Sequence, residues 1–304
     1  MNIAFQKNRL RWLTRIAFAC AAFAGAGAAP AATPATISAA SLHAKYAALG
    51  GQLKNNQFQR TLHLDSAESP HALMGDIYAL VDYTFADVNA ALNGPAHWCD
   101  VLILHINTKY CRAFTDRAGT VLAVAIGKKY DQPLDEAYRL EFAYRVSAAT
   151  PDYLGVQLTS ETGPLGTSDY RILLEAVPVE GGRTFLHFRY SYAYGLAGRV
   201  AMQVYLATVG RSKVGFTIVG EQPDGLPDYI RGVRGLVERN TMRYYLAIDA
   251  YLGARAAPSP RQLEERLQSW FTSSERYPRQ LHEVDRTVYL DMKRSEYLRQ
   301  QPVH

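Results

Sequence analysis

Tyr190, Tyr192 and Tyr194 occupy alternate positions of one segment, and Tyr144 and Tyr244 take comparable positions in two others. A phenol brings a flat apolar ring and a hydroxyl, and burying that hydroxyl unpaired costs about 1 to 3 kcal/mol. The chemistry suggested is recognition of a molecule with an apolar body and a polar point. Two readings stay open: a ligand-facing wall, or an aromatic core whose hydroxyls reach the surface. Acid–base work would draw on Asp76, Asp82 and His105 if folding brings them together, although a cap, a turn and a strand edge explain the same residues. Eight histidines are scattered, and His97 and His105 lack a third ligand at metal spacing, so no metal is expected. There is no G-x-S-x-G elbow, phosphate loop or dinucleotide fingerprint. No catalytic residue and no cofactor are assigned. Gly163 to Ser168 reads as a turn.

Strands and one long helix must position the tyrosines. In Thr184 to Gly195, Leu186, Phe188, Tyr190, Tyr192 and Tyr194 face one way, and His187, Arg189 and Ser191 the other. Tyr138 to Ala148 alternates likewise, with Phe142 and Tyr144 inward and Arg139 and Arg145 outward. Arg139, Arg145 and Arg189 are read as a solvated outer surface. Such alternation marks antiparallel strands with one wet face. Further strands are predicted at Phe58 to Leu64, Leu73 to Val81, Thr108 to Phe114, Val121 to Gly127, Tyr153 to Ser160 and Asp169 to Pro178, with Gly181-Gly182 at a hairpin. Asp228 to Leu252 repeats apolar residues every three or four positions, which predicts a helix of about seven turns with one buried stripe. A curved sheet closing on that helix would enclose a cavity. Its expected ligand-binding residues are Phe142, Tyr144, Leu174, Phe188, Tyr190, Tyr192 and Tyr194 from strands, and Val237, Tyr244 and Ile248 from the helix.

Gly198 to Val209 is expected to be a short helix or wide loop, serving as a lid or a membrane-touching element, before a strand at Lys213 to Val219. Ser259 is expected to cap a helix with Gln262 three residues on, and a charged helix over Val284 to Arg299 closes the chain. This tail is expected to pack outside the container.

Residues 1–31 hold Lys7, Arg9, Arg11 and Arg15, no acid, a short apolar run and small residues, the order of a secretory signal peptide. Removing those four basic residues takes the formal charge from +5 to +1. That leaves no compositional case for nucleic acid. A periplasmic or secreted protein is expected, and in that compartment Cys99 and Cys111 are expected to form a structural disulfide, with a redox pair or two free buried thiols as the alternatives.

Gly75-Asp76-Ile77-Tyr78-Ala79 running into Asp82 to Val88, the Thr184 to Tyr194 strand, and the helix around Gly232 to Glu238 together resemble the START lipid-transfer domains. Their wider relatives, the polyketide cyclase and pollen-allergen-like proteins (the SRPBCC superfamily), share the resemblance, which spans about residues 58 to 253. It implies an α+β helix-grip fold: a bent antiparallel sheet around a long C-terminal helix, with a ligand cavity between. The export segment, the Gly195 to Arg211 insertion and the residues beyond the helix depart from that pattern. The expected organisation is a signal peptide (1–31), a linker with a weak helix (32–57), the helix-grip domain (58–255) and a helical extension (256–304). The leading expectation is binding or transport of a hydrophobic, lipid-like or polyketide-like molecule, with peripheral membrane contact possible. The alternatives are a cyclase or hydrolase using the same cavity, or a partner-binding protein with a filled core.

Overall fold

The computed structural model describes residues 38–208 and 210–301; the signal peptide expected over residues 1–31 and Val209 lie outside them. In chain order the elements are α1 (Ala39–Leu49), β1 (Leu62–Glu68), β2 (Ala72–Val81), α2 (Phe85–Leu92), α3 (Pro95–Leu102), β3 (Thr108–Thr115), β4 (Thr120–Ile126), β5 (Tyr138–Ala149), β6 (Leu154–Thr162), β7 (Thr167–Val179) and β8 (Arg183–Tyr194). Then follow α4 (Leu196–Ala207), β9 (Ile218–Glu221), β10 (Pro227–Tyr229), α5 (Gly232–Gly253), α6 (Ser259–Ser274), α7 (Pro278–Leu281) and α8 (Arg286–Gln300).

Strands β1 to β8 make one sheet in the order β1-β2-β8-β7-β6-β5-β4-β3, antiparallel at every pairing. Gly181 and Gly182 both take positive φ, 77° and 67°, as a tight β7–β8 hairpin turn requires. From β2 the chain crosses to the far edge through α2 and α3, and the Cys99–Cys111 disulfide ties α3 to β3. Closing that loop stabilises the fold by about 3 kcal/mol on the chain-entropy account. Helix α5 lies against β1, β2, β8 and α3. A Cβ on Gly75 would collide with the Thr241 side chain of α5, so glycine is what lets β2 approach the helix this closely. Sheet and helix together form the α+β helix-grip architecture.

Four expectations change here. Pro227–Tyr229 pairs with Ile218–Glu221 as a two-stranded ribbon, so the long helix starts at Gly232 and the strand expected at Lys213 to Val219 shrinks. Helix α6 begins at Ser259 after Pro258, which puts Ser259 inside the first turn, where it caps nothing; the Gln262 amide instead donates to the Ala257 carbonyl at 3.1 Å. Helix α5 is buried all round rather than along one stripe, with Glu238, Arg239 and Arg243 inside. Its far side is covered by the C-terminal helices, whose Leu267, Trp270, Phe271, Tyr289 and Leu290 belong to the same core cluster as the sheet. Trp270 Nε1 donates to the Arg243 carbonyl and the Tyr289 hydroxyl to the Leu104 carbonyl. The tail is thus built into the container's wall. Glu238 is satisfied in the interior by the Phe216 and Thr217 amides and the Thr217 and Ser66 hydroxyls, at 2.6 to 2.9 Å.

The convex face of the sheet is not uniformly wet either. Helix α1 lays Leu42 and Leu49 over Tyr153, Val177 and Phe185 as a second apolar cluster. Arg139 and Arg145 are exposed, but Arg189 donates from Nε to Asp76 at 2.7 Å, in a buried polar group described below.

Candidate functional site: an aromatic cavity with a basic end

Between the inner face of the sheet, α4 and α5 lies a cavity of about 290 Å³. Its aromatic wall follows from strand parity, since residues two apart share a face. Phe142 comes from β5, Tyr170 from β7, Tyr190 and Tyr192 from β8, and Tyr244 from α5. Tyr170 stacks on Tyr192 with centroids 5.2 Å apart, and Tyr190 tilts against Tyr244 at the same separation. Burial pushes the Tyr190, Tyr192 and Tyr244 hydroxyls above the ordinary phenol range, so they remain protonated donors.

One rim is apolar. Pro164 and Leu165 precede β7, and α4 turns Gly198, Ala201 and Met202 inward. The Tyr192 hydroxyl points at the Met202 sulfur, 3.7 Å away. On its other side α4 exposes Leu196, Val200 and Val204. Gly198 to Val209 is therefore a helix over the cavity, as far as the described residues run.

Polar groups line the opposite end: His105, Asn107, Lys129, Tyr205, Asn240 and Arg243. His105 stacks on Tyr244 at 4.4 Å. Burial, together with Arg243 and Lys293, holds its imidazole well below its ordinary pKa, so the ring is neutral. Lys129 Nζ donates to the Tyr205 hydroxyl at 3.1 Å. Burial would raise the Tyr205 pKa, but the Lys129 charge outweighs it and lowers the phenol. Glu283, ahead of α8, meets Lys129 at 2.7 Å and Arg243 at 2.6 Å.

Of the expected binding residues, Phe142, Tyr190, Tyr192 and Tyr244 line this cavity. The other six do not, and three physical reasons account for them. Leu174, Phe188, Val237 and Ile248 are on the right faces but too deep, packed solid in the core at 0 to 1% exposure. Tyr194 runs past the rim: its hydroxyl bonds to the Ser69 carbonyl, and its Cβ lies beneath the first turn of α4. Tyr144 packs against the core from further along β5, its hydroxyl buried without a partner and its pKa pushed by burial up to about 12. Tyr170 was legible from its parity with Ile172 and Leu174. Lys129 follows a strand, and Arg243 interrupts an apolar stretch of helix beside Tyr244; only the second of these left a signal in the sequence.

Asp76, Asp82 and His105 do not meet. Asp82 borders a separate polar recess beside Arg60 and Asp249, while His105 stays in the cavity. On the convex face Asp76 instead accepts from His187 Nε2 at 2.6 Å, and His187 Nδ1 faces Glu175 at 2.7 Å. Tyr78 stacks on this histidine at 4.3 Å, and the Tyr153 hydroxyl donates to Glu175 at 2.6 Å. The side-chain polar atoms of Asp76, His187, Glu175 and Tyr153 are all partnered in this buried group, the arrangement of a structural cluster. Among the described residues no group of three or more His, Cys, Asp and Glu side chains is placed to hold a metal.

No family model matches the chain, and no curated protein matches it. Several solved structures are similar to it. Truncated norcoclaurine synthase from Thalictrum flavum is 14% identical over 48% of this chain and 89% of its own, with a TM-score of 0.33. Zhui aromatase/cyclase from Streptomyces is 11% identical over 70% and 95%, with a TM-score of 0.31. Human StAR-related lipid transfer protein 5 is 11% identical over 57% and 91%, with a TM-score of 0.30. At such identities the likeness is one of fold alone, and the helix-grip assignment stands on the sheet order and the seat of α5.

Proposed function

We propose that this chain binds and carries an apolar small molecule, lipid-like or polyketide-like, in the cavity between its sheet and α5. The observation that carries this reading is a tyrosine-walled space of about 290 Å³ that the protein's own side chains leave unfilled. Such a volume is at the lower end of the ligand-pocket range, and an apolar wall with a few convergent polar groups is the usual composition of a binding site. The binding energy would come from apolar burial, about 25 cal/mol per Å² before ordering costs. Carriage is favoured over acid–base catalysis because the lining contains no carboxylate and the Tyr190, Tyr192 and Tyr244 phenols of its wall have raised pKa values, Tyr205 beside Lys129 being lowered instead. An address outside the cytoplasm follows from residues 1–31, and recovery of the shortened chain in the periplasmic fraction checks it.

Displacement of the neutral fluorophore N-phenylnaphthylamine tests the assignment of the wall. Tyr192→Leu and Tyr244→Leu are each expected to weaken its binding by about tenfold, the worth of one lost aromatic contact of about 1.4 kcal/mol. Arg139→Ala, on the exposed convex face, is expected to leave it unchanged. Equal effects of all three would refute the inner-wall assignment.

A further inference from the structure

The basic end of the cavity holds more positive charge than the protein neutralises. Lys129 and Arg243 line it, and Lys213 and Arg239 stand behind them. The carboxylate set among them is Glu283, at 2.7 Å from Lys129, 2.6 Å from Arg243 and 3.9 Å from Lys213. Arg239 is fully buried, and its Nε and Nη2 find no partner; neither does Nε of Arg243. Burial, together with the neighbouring Arg243 charge, lowers the Arg239 pKa. Buried cations without counter-charge are costly, and a site that keeps them has an anion to gain.

His105 supplies an independent observation. Its Nδ1 accepts the Asn107 backbone N–H at 3.2 Å, so the proton of the neutral ring belongs on Nε2. That Nε2 is buried without a partner, on a residue that lines the cavity and is 3% exposed. An N–H so placed costs free energy unless an acceptor arrives.

We infer that the ligand is an amphipathic anion whose carboxylate seats against His105 Nε2, Arg243 and Lys129, while its apolar body lies along Tyr170, Tyr190 and Tyr192. This rests on the carrier reading and narrows its ligand class. Charge-assisted hydrogen bonds from histidine, arginine and lysine would replace the water an anion gives up on entry. A neutral molecule of the same shape would leave the cations as they stand.

The test compares decanoate with decanol as displacers of N-phenylnaphthylamine from the full protein at neutral pH. Decanoate is expected to displace the probe at about tenfold lower concentration, since hydrogen bonds to a charged group are the stronger kind. Lys129→Gln and Arg243→Gln are expected to remove that preference, whereas Arg139→Ala on the exposed convex face is expected to leave it in place. Lys129 is partly exposed, so its variant decides the matter if the buried Arg243→Gln does not fold. Equal potency of the two displacers on the unaltered protein would overturn the anion assignment and leave the carrier reading standing. A preference that survives Lys129→Gln would overturn the placement of the carboxylate. Failure of both molecules and of the probe to bind would sink the carrier reading, and the anion with it.

Discussion

Glu296→Gln is expected to lower the unfolding free energy by about 3 to 5 kcal/mol, the cost of leaving buried charge without its partner. Glu296 is fully buried in α8 and receives Lys109 Nζ at 2.9 Å and Lys293 Nζ at 2.6 Å, both lysines equally buried. Lys293 also donates to the His105 and Thr108 carbonyls, and Lys109 to the Tyr130 carbonyl. One carboxylate thus holds two ammonium groups and locks α8 to the β3 side of the sheet. Burial already pulls the Lys293 pKa down to about 8 against the pull of Glu296. Removing the carboxylate charge leaves both lysines to lose a proton or sit uncompensated. Urea unfolding reads the effect as a lower midpoint, and a loss below about 1 kcal/mol would show that the lysines do not depend on Glu296. The same geometry predicts that removing the tail takes the core with it, against the sequence-based expectation of an outer appendage.

On the convex face His187→Ala is expected to cost about 3 kcal/mol, because it removes the imidazolium that Asp76 and Glu175 share and leaves Asp76 to Arg189 and Glu175 to the Tyr153 hydroxyl alone. Burial alone would lower the His187 pKa, yet the hydrogen bonds from its two carboxylate partners outweigh it and raise the value above 6.5. A raised folded pKa stabilises the protein fully below the unfolded value, near 6.5, and that contribution fades as pH climbs through the folded one. Asp76 has the opposite sign. Burial raises it, but His187 and Arg189 outweigh that and hold it below 3.8, so its contribution is present above that value and disappears in stronger acid. Stability contributed by this pair should therefore be greatest from about pH 4 to 6.5 and decline on the alkaline side. His187→Ala should abolish the alkaline decline, and a variant with the unaltered pH profile would contradict the assignment.

Much of the architecture was legible because it rests on local periodicity. The alternation in β5 and β8 announced antiparallel strands with a distinct inner face, and Gly181-Gly182 announced the hairpin between β7 and β8. Parity also placed Phe142, Tyr190 and Tyr192 on the correct wall. Depth is what parity does not encode: Phe188 and Tyr190 share a face, yet one is sealed in the core and the other meets open space. Nor does a single helix reveal what covers its back. Arg239 and Arg243 broke the expected stripe of α5 because a second layer, α6 to α8, buries the side that a lone amphipathic helix would show to water. His187 looked like an outward residue for the same reason, since Tyr78 stacks on it and α1 packs in turn over Tyr78 and Phe185 from a distant point of the chain.

Native mass spectrometry of the purified protein, with and without Ala201→Trp, is the sharpest check on the carrier reading. Ala201 is partly exposed on α4 and faces the cavity, so an indole there fills the space without disturbing the sheet. One N-phenylnaphthylamine per chain is expected to remain bound, and to be lost in Ala201→Trp at an unchanged melting temperature. Equal occupancy in both proteins, or none in either, would contradict the carrier reading.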